Sequence, residues 1–340
     1  ELQIPELFKL REAKAPVAVK NKLAAARREI ASKNLQYVVG YTSKADLPIE
    51  KITGLKQLKP DEQRQFIARM KAKVMYMRDT ATTDNNTTVN FKHKPRPKPK
   101  PVTYIYGNPS MPKLDLRKGG FVSPIRDQGP YGSCWAFSAM AAYESSFKII
   151  NSRWINTSEQ HIINCSGAGT SAHGGWMSLV FDWMVDNNKD VADERVLEYA
   201  GPDQSCPAHL HSNDYFAVTW GVVDPSGDLS KIPTVFQIKQ ALCEHGVLST
   251  ALFADSGFQL YVGGIFSSFQ SGEHNNVNHA VAIIGWNDEI QCWLIKNSWG
   301  QDWGNMCGTG NEFGYMWIKY NSSNIGEHTI WVKAKDLSHS

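Results

Sequence analysis

The stretch Gln128-Gly129-Pro130-Tyr131-Gly132-Ser133-Cys134-Trp135-Ala136-Phe137 decides how the rest of this chain is read. A turn rich in Gly and Pro leads into a cysteine. From Cys134 to Ile150 the residues Phe137, Met140, Ala141, Phe147 and Ile150 recur at helical spacing. Cys134 is therefore expected at a helix N-terminus, where unpaired N–H groups and the helix dipole favour a thiolate and lower its pKa from about 8.5. A thiol still needs a base to take its proton and return it to a leaving group, and imidazole titrates in the useful range. Among ten histidines, His279 is the best placed, because Asn278-His279-Ala280-Val281 enters a buried, strand-like run that would hold the ring rigidly. Asn297, in Lys296-Asn297-Ser298-Trp299-Gly300 after the following strand, is placed to accept the other ring N–H, with Trp299 screening that bond from water. Cys134 alone would read as an inert buried thiol. The ordered set of Gln128, Cys134, His279 and Asn297 reverses that reading.

Around this centre the chain divides in two. Its 340 residues exceed an ordinary single domain. The net charge of +3 conceals 22 Lys+Arg against 10 Asp+Glu in residues 1–105, and 14 against 23 in the remainder. Such asymmetry fits a nucleic-acid tail, but the acidic partner already lies in the same chain, so self-association is the preferred reading. Val19, Leu23, Ala26 and Ile30 form one apolar helical stripe, residues 35–42 suit a short strand, and Pro60-Asp61-Glu62 opens a helix bearing Phe66, Ile67, Met70, Val74 and Met77 on one face. The run Lys94-Pro95-Arg96-Pro97-Lys98-Pro99-Lys100-Pro101 reads as an extended linker long enough to traverse a substrate cleft. Beyond residue 107 a helical half precedes a half rich in strands, around 280–284, 292–295 and 315–318. No apolar run approaches the roughly 18 residues that cross a bilayer, and the charged first residues lack the apolar core of a signal peptide, so a targeting segment is expected to be absent or removed.

These residues resemble a papain-family cysteine peptidase. The resemblance covers about two-thirds of the chain, through Asp115-Leu116-Arg117, Ser158-Glu159-Gln160, Gly174-Gly175, Phe258-Gln259-Leu260-Tyr261 and the motifs already quoted. His279 follows Cys134 by 145 residues and Asn297 by 163, the latter slightly long for the family spacing. The resemblance implies an α+β, two-lobed fold with a helical left lobe and a β-barrel-like right lobe, preceded by a mainly helical pro-segment. It implies Cys134 as nucleophile, His279 as acid/base, Asn297 as its orienter and Gln128 as oxyanion-hole donor. It places Gly174, Gly175, Trp176, Met177, Ala251 and Asn278 around the substrate, with an apolar S2 pocket. The reading is a cysteine endopeptidase made as a zymogen and acting on peptide and protein substrates. Neither metal nor cofactor is called for, and the chain is expected to be a monomer without a nucleic-acid or membrane partner.

The same resemblance assigns residues 1–107 to an inhibitory pro-segment, with the linker at 79–107, and residues 108–340 to the catalytic domain. The spaced Glu, Arg, Phe, Asn, Ile and Asn pattern of the common pro-helix is missing from both predicted helices, so inhibition is inferred rather than read. One family disulfide is absent, its positions being Tyr131 and Ala172, while Cys165 and Cys206 match another. For Cys243, Cys292 and Cys307 no pairing is secure; a Cys292–Cys307 bridge and free buried thiols are equally compatible with the sequence. One bridge and sequons at Asn85, Asn86, Asn156, Asn164 and Asn321 point to a secreted or lysosomal compartment. A second reading is a catalytically silent papain-like module whose basic arm serves nucleic acid or anionic surfaces.

Overall fold

The computed structural model describes residues 2–56, 59–81, 107–186, 189–208, 210, 215–268 and 277–337. The N-terminal part carries helices α1 (Glu6–Ala13), α2 (Val17–Ser32), α3 (Ile49–Ile52) and α4 (Pro60–Ala81), with strand β1 (Tyr37–Val39) between α2 and α3. The stripe on α2 behaves as its spacing requires: Val19 and Leu23 are buried in the core, and Ala26 and Ile30, partly buried, pack against that core. On α4 the buried line is Phe66, Met70 and Val74. This helix runs to Ala81, two residues past the expected start of the linker. The Met77 side chain and the Lys/Pro run lie outside the described residues. Helix α1 was not anticipated, because Phe8 is its one buried residue while Leu7 and Leu10 face solvent.

After residue 107 come β2 (Lys113–Asp115), α5 (Cys134–Asn151), α6 (Glu159–Cys165), β3 (Gly169–Thr170), β4 (Gly174–Gly175) and α7 (Met177–Val185). Then follow β5 (Ala217–Val222), α8 (Val235–His245), β6 (Leu248–Leu252), α9 (Ser256–Leu260), β7 (Tyr261–Phe266), β8 (His279–Asn287), β9 (Cys292–Lys296), β10 (Tyr315–Lys319) and β11 (Glu327–Ala334). Helix α5 is the axis of the helical half and is buried from Cys134 to Phe147. Its polar residues are paired where they meet the sheet: Ser138 Oγ donates to Val281 O at 2.7 Å, and Ser146 Oγ accepts from Ala334 N at 3.0 Å. Glu144 accepts from the N–H and hydroxyl of Thr157 at 2.9 and 3.0 Å.

The main sheet runs β1-β7-β10-β9-β8-β6-β11-β5, with β2 added on β8. This path is open: β1 and β5 end it without pairing each other, so the barrel-like right lobe does not close. The N-terminal part itself supplies one end strand, β1 pairing antiparallel with β7 through Tyr37↔Gly264 and Val38↔Gly263. Gly264 has φ +87°, and a Cβ there would sit 2.5 Å from Gln36 O, so glycine lets the added strand approach. Cys165 and Cys206 form a disulfide. Cys292 and Cys307 are both free thiols, so the alternative bridge between them is absent.

The charge division becomes contact. Arg11 pairs with Asp302 at 2.9 Å, Lys44 with Asp127 at 2.5 Å, and Lys73 with both Asp182 and Asp186. Buried Gln259 adds an uncharged clasp, accepting from Lys22 Nζ at 2.6 Å and donating to the carbonyls of Lys44 and Leu47. In each pair the cation comes from the N-terminal part and its partner from the remainder.

Candidate active site

Cys134 occupies the first position of α5 and its side chain is fully buried. Its Sγ accepts N–H groups from Gly54 at 3.1 Å and Ala280 at 3.4 Å. Burial pushes the thiol up to about 12, although the N–H groups of Ala280, Gly54 and the first turn of α5 work in the opposite direction. The depressed thiol pKa expected from helix position is therefore overturned in the covered chain. Loss of water around the sulfur outweighs the helix terminus.

His279 opens β8, one residue before the Ala280 N–H that reaches the sulfur. Its Nε2 lies 2.8 Å from Asn297 Oδ1, and the same oxygen accepts from Ser298 N at 2.8 Å. Because that oxygen only accepts, Nε2 carries the proton and Nδ1 keeps its lone pair. Nδ1 is buried with no hydrogen-bond partner. Burial lowers the imidazole to about 4, with the Asn297 bond acting the other way. Trp299 lies over the ring at a centroid distance of 4.7 Å and is completely buried, and Phe258 meets the ring edge at 6.0 Å. These aromatics screen the His279–Asn297 bond.

Gln128 is stitched to the Asn297 loop: its N–H donates to Ser298 O at 2.8 Å and its Oε1 accepts from Ser298 Oγ at 2.6 Å. The bond from Gly300 N to Arg126 O at 2.9 Å continues this seam. The amide Nε2 donates to Tyr131 O at 2.6 Å and to Ile52 O at 3.0 Å. Ile52 O also accepts from Trp299 Nε1 at 3.2 Å.

A five-residue stretch, Ile52 to Lys56, thus fills the cleft. Leu55 N donates to Asn278 O at 3.0 Å, Gly175 N donates to Gly54 O at 2.9 Å, and Leu55 pairs parallel with Gly175. The passage is narrow: a Cβ on Gly54 would lie 2.0 Å from Gly132 O, and one on Gly174 would lie 2.4 Å from Gly54 O. An Ile-Thr-Gly-Leu-Lys run between two helices thus occupies this passage, while the Lys/Pro linker expected to cross the cleft lies outside the described residues. Gly174, Gly175 and Asn278 line this segment directly. Trp176 stacks on His328 at 4.3 Å and meets Phe66 of α4 at 5.6 Å. Met177 and Ala251 are buried, and Ala251 sits opposite Ala280 across β6 and β8.

A profile described as papain family cysteine protease matches residues 111–332. The chain belongs to the papain family of cysteine proteases. Zingipain-2 of Zingiber officinale is 33% identical over 62% of this chain and 88% of its own length. Cathepsin L of Sarcophaga peregrina is also 33% identical, over 63% of this chain and 61% of its own length, so the match spans about three-fifths of that relative. The structure of procathepsin L 3 from Tenebrio molitor larval midgut matches 98% of this chain and 94% of its own, with a TM-score of 0.62 at 21% identity. That likeness extends the papain-like fold, with its leading helical part, over both halves of the chain. No helix among the described residues is long and apolar enough to cross a membrane.

Proposed function

We propose that this chain is a cysteine endopeptidase made as a zymogen, with residues 1–107 as pro-segment and 108–340 as catalytic domain. One observation carries the reading: the His279–Asn297 bond leaves an unpartnered Nδ1 on a ring whose neighbouring residue touches the Cys134 sulfur. In the uncovered enzyme His279 Nδ1 takes the Cys134 proton. The thiolate attacks the peptide carbonyl, the carbon–sulfur bond forms, and the carbonyl π electrons move onto oxygen. Gln128 Nε2 and the Cys134 N–H receive that oxyanion. Its collapse breaks the carbon–nitrogen bond while His279 protonates the leaving amine. Water, deprotonated by His279, then cleaves the thioester and restores the thiol.

In the covered chain this machinery is idle. The sulfur meets the Gly54 N–H rather than a carbonyl carbon, and Gln128 Nε2 is occupied by Ile52 O. Buried Leu55, between Gly175 and Asn278, supports a preference for an apolar residue in the S2 pocket formed with Trp176, Met177 and Ala251. The Cys165–Cys206 bridge favours an oxidising compartment, secreted or lysosomal in kind. The test is stoichiometric labelling by a thiol-directed epoxide after the pro-segment has been cleaved. Labelling and peptide hydrolysis that both vanish in Cys134→Ala support the peptidase. A folded, cleaved chain that neither labels nor hydrolyses peptides is the silent module instead.

A further inference from the structure

The bonds that fix the site continue on its far side. Tyr199 OH lies 2.7 Å from Gln128 O and 2.7 Å from Ser133 Oγ, the residue before Cys134. A carbonyl can only accept, so the single phenolic proton goes to Gln128 O, and Ser133 donates its own proton to the phenol oxygen. Ser133 is the N-cap of α5, yet its hydroxyl makes no capping bond to the helix. It is turned instead toward the tyrosine. Burial keeps the Tyr199 hydroxyl protonated across the working range, so it is always a donor.

Gln128 is therefore gripped from two sides. Ser298 holds its N–H and its side-chain oxygen, and Tyr199 holds its carbonyl. The tyrosine loop has anchors of its own: the ring meets Phe137 edge-on at 4.9 Å, Tyr199 N donates to Glu194 Oε1 at 2.9 Å, and the next two N–H groups converge on Gln160 Oε1. Removing the hydroxyl thus leaves the ring and the loop supported.

We infer that Tyr199 is a positioning residue for the reaction: its hydroxyl spaces the Gln128 backbone from the first turn of α5, setting the gap between the two groups that receive the oxyanion. The inference rests on the proposed Cys134 chemistry. Tyr199 acts through Gln128 and Ser133, the two groups its hydroxyl meets. Small displacements of an oxyanion donor are costly, because its hydrogen bonds strengthen only as charge develops.

The full chain carrying Tyr199→Phe is folded as the zymogen and cleaved in trans by an added endopeptidase, so that processing does not depend on its own activity. Expected is a fall in kcat of about tenfold with KM held within about twofold. A peptide aldehyde, whose thiol adduct bears the oxyanion, loses affinity by the same factor. Alkylation of Cys134 by an epoxide, which forms no such oxyanion, keeps its rate. On a Gln128→Ala background Tyr199→Phe adds no further loss. An unchanged kcat, or an equal loss with and without Gln128, overturns the inference. Should Tyr199→Phe not fold, Ser133→Ala is read in its place; a fall in kcat and aldehyde affinity without a change in alkylation supports the strut, and no fall overturns it. Failure of the unmutated enzyme to label with epoxide tells against the peptidase reading itself.

Discussion

The backbone N–H of Gly54 lies 3.1 Å from Sγ of Cys134 and donates to it. A peptide at this distance from the sulfur would be a substrate if it presented its carbonyl carbon; here it presents a donor. The contact requires glycine, since a Cβ on Gly54 would be 2.0 Å from Gly132 O. Gly54→Ala is expected to expel the segment without touching the catalytic half. The measurement is epoxide labelling of the uncleaved chain at neutral pH, with at least about a tenfold rise expected from the roughly 2 kcal/mol of lost docking. Equal labelling of the two chains would refute the expectation.

Acid should loosen the same segment. His279 is held near 4 against an ordinary 6.5 because it is fully buried, with Trp299 and Phe258 against its ring. A histidine with a lowered pKa favours the covered state above about pH 6.5, and that contribution drains away as pH falls from 6.5 toward 4, since the uncovered ring binds the proton more readily. If uncovering restores the ordinary value, the full change approaches roughly 3 kcal/mol. Hydrogen exchange at Leu55 and Gly175, corrected for intrinsic rates, is expected to accelerate between pH 7 and pH 4.5. His279→Gln should remove much of that dependence.

Gln128→Ala should act in two places. In the processed enzyme it removes the proposed oxyanion donor, with an expected fall in kcat on the order of a hundredfold or more. In the full chain it also frees Ile52 O from one of two donors, the other being Trp299 Nε1. Faster proteolytic release of the pro-segment is therefore expected beside the loss of turnover. A variant slow in turnover but docked as firmly as the original would mean that Trp299 suffices to hold Ile52.

Lys73 is the outer fastening. It meets Asp182 and Asp186 of α7 and its following turn, and although burial alone would lower its pKa, those carboxylates hold it raised. Lys73→Ala should weaken docking by about 1 kcal/mol, and Lys73→Glu by more, because like charges then face each other. Limited proteolysis in α4, compared at low and high salt, reads the effect. The original chain should become more sensitive with salt and Lys73→Ala much less so.

The convergence at the centre of the site was legible from residue types in order: Asn297 meets His279 directly, while Cys134 and Gln128 join them through Ala280 and Ser298. The stripes on α2 and α4 and strands β8 to β10 were legible because burial imposes periods of 3.6 and 2. What could not be read depended on contact between distant parts of the chain. Nothing around Tyr37 announces pairing with Gly264, and nothing in Ile52–Lys56 distinguishes a cleft-filling strand from an ordinary loop. The direction of the Cys134 pKa shift followed the same rule: a helix terminus is local, whereas the burial that overrides it comes from tertiary packing. Tyr199 carried no signal, since one tyrosine in a loop resembles any other.

The pairing of one bridge with four free thiols sets terms for handling the molecule. Cys206 is exposed, so small thiols reach the Cys165–Cys206 bond directly. Once uncovered, Cys134 requires a reductant to escape sulfenic acid and mixed-disulfide formation. The enzyme must therefore be kept in a redox window, strong enough to protect the Cys134 thiol and mild enough to spare the strap on its helical half.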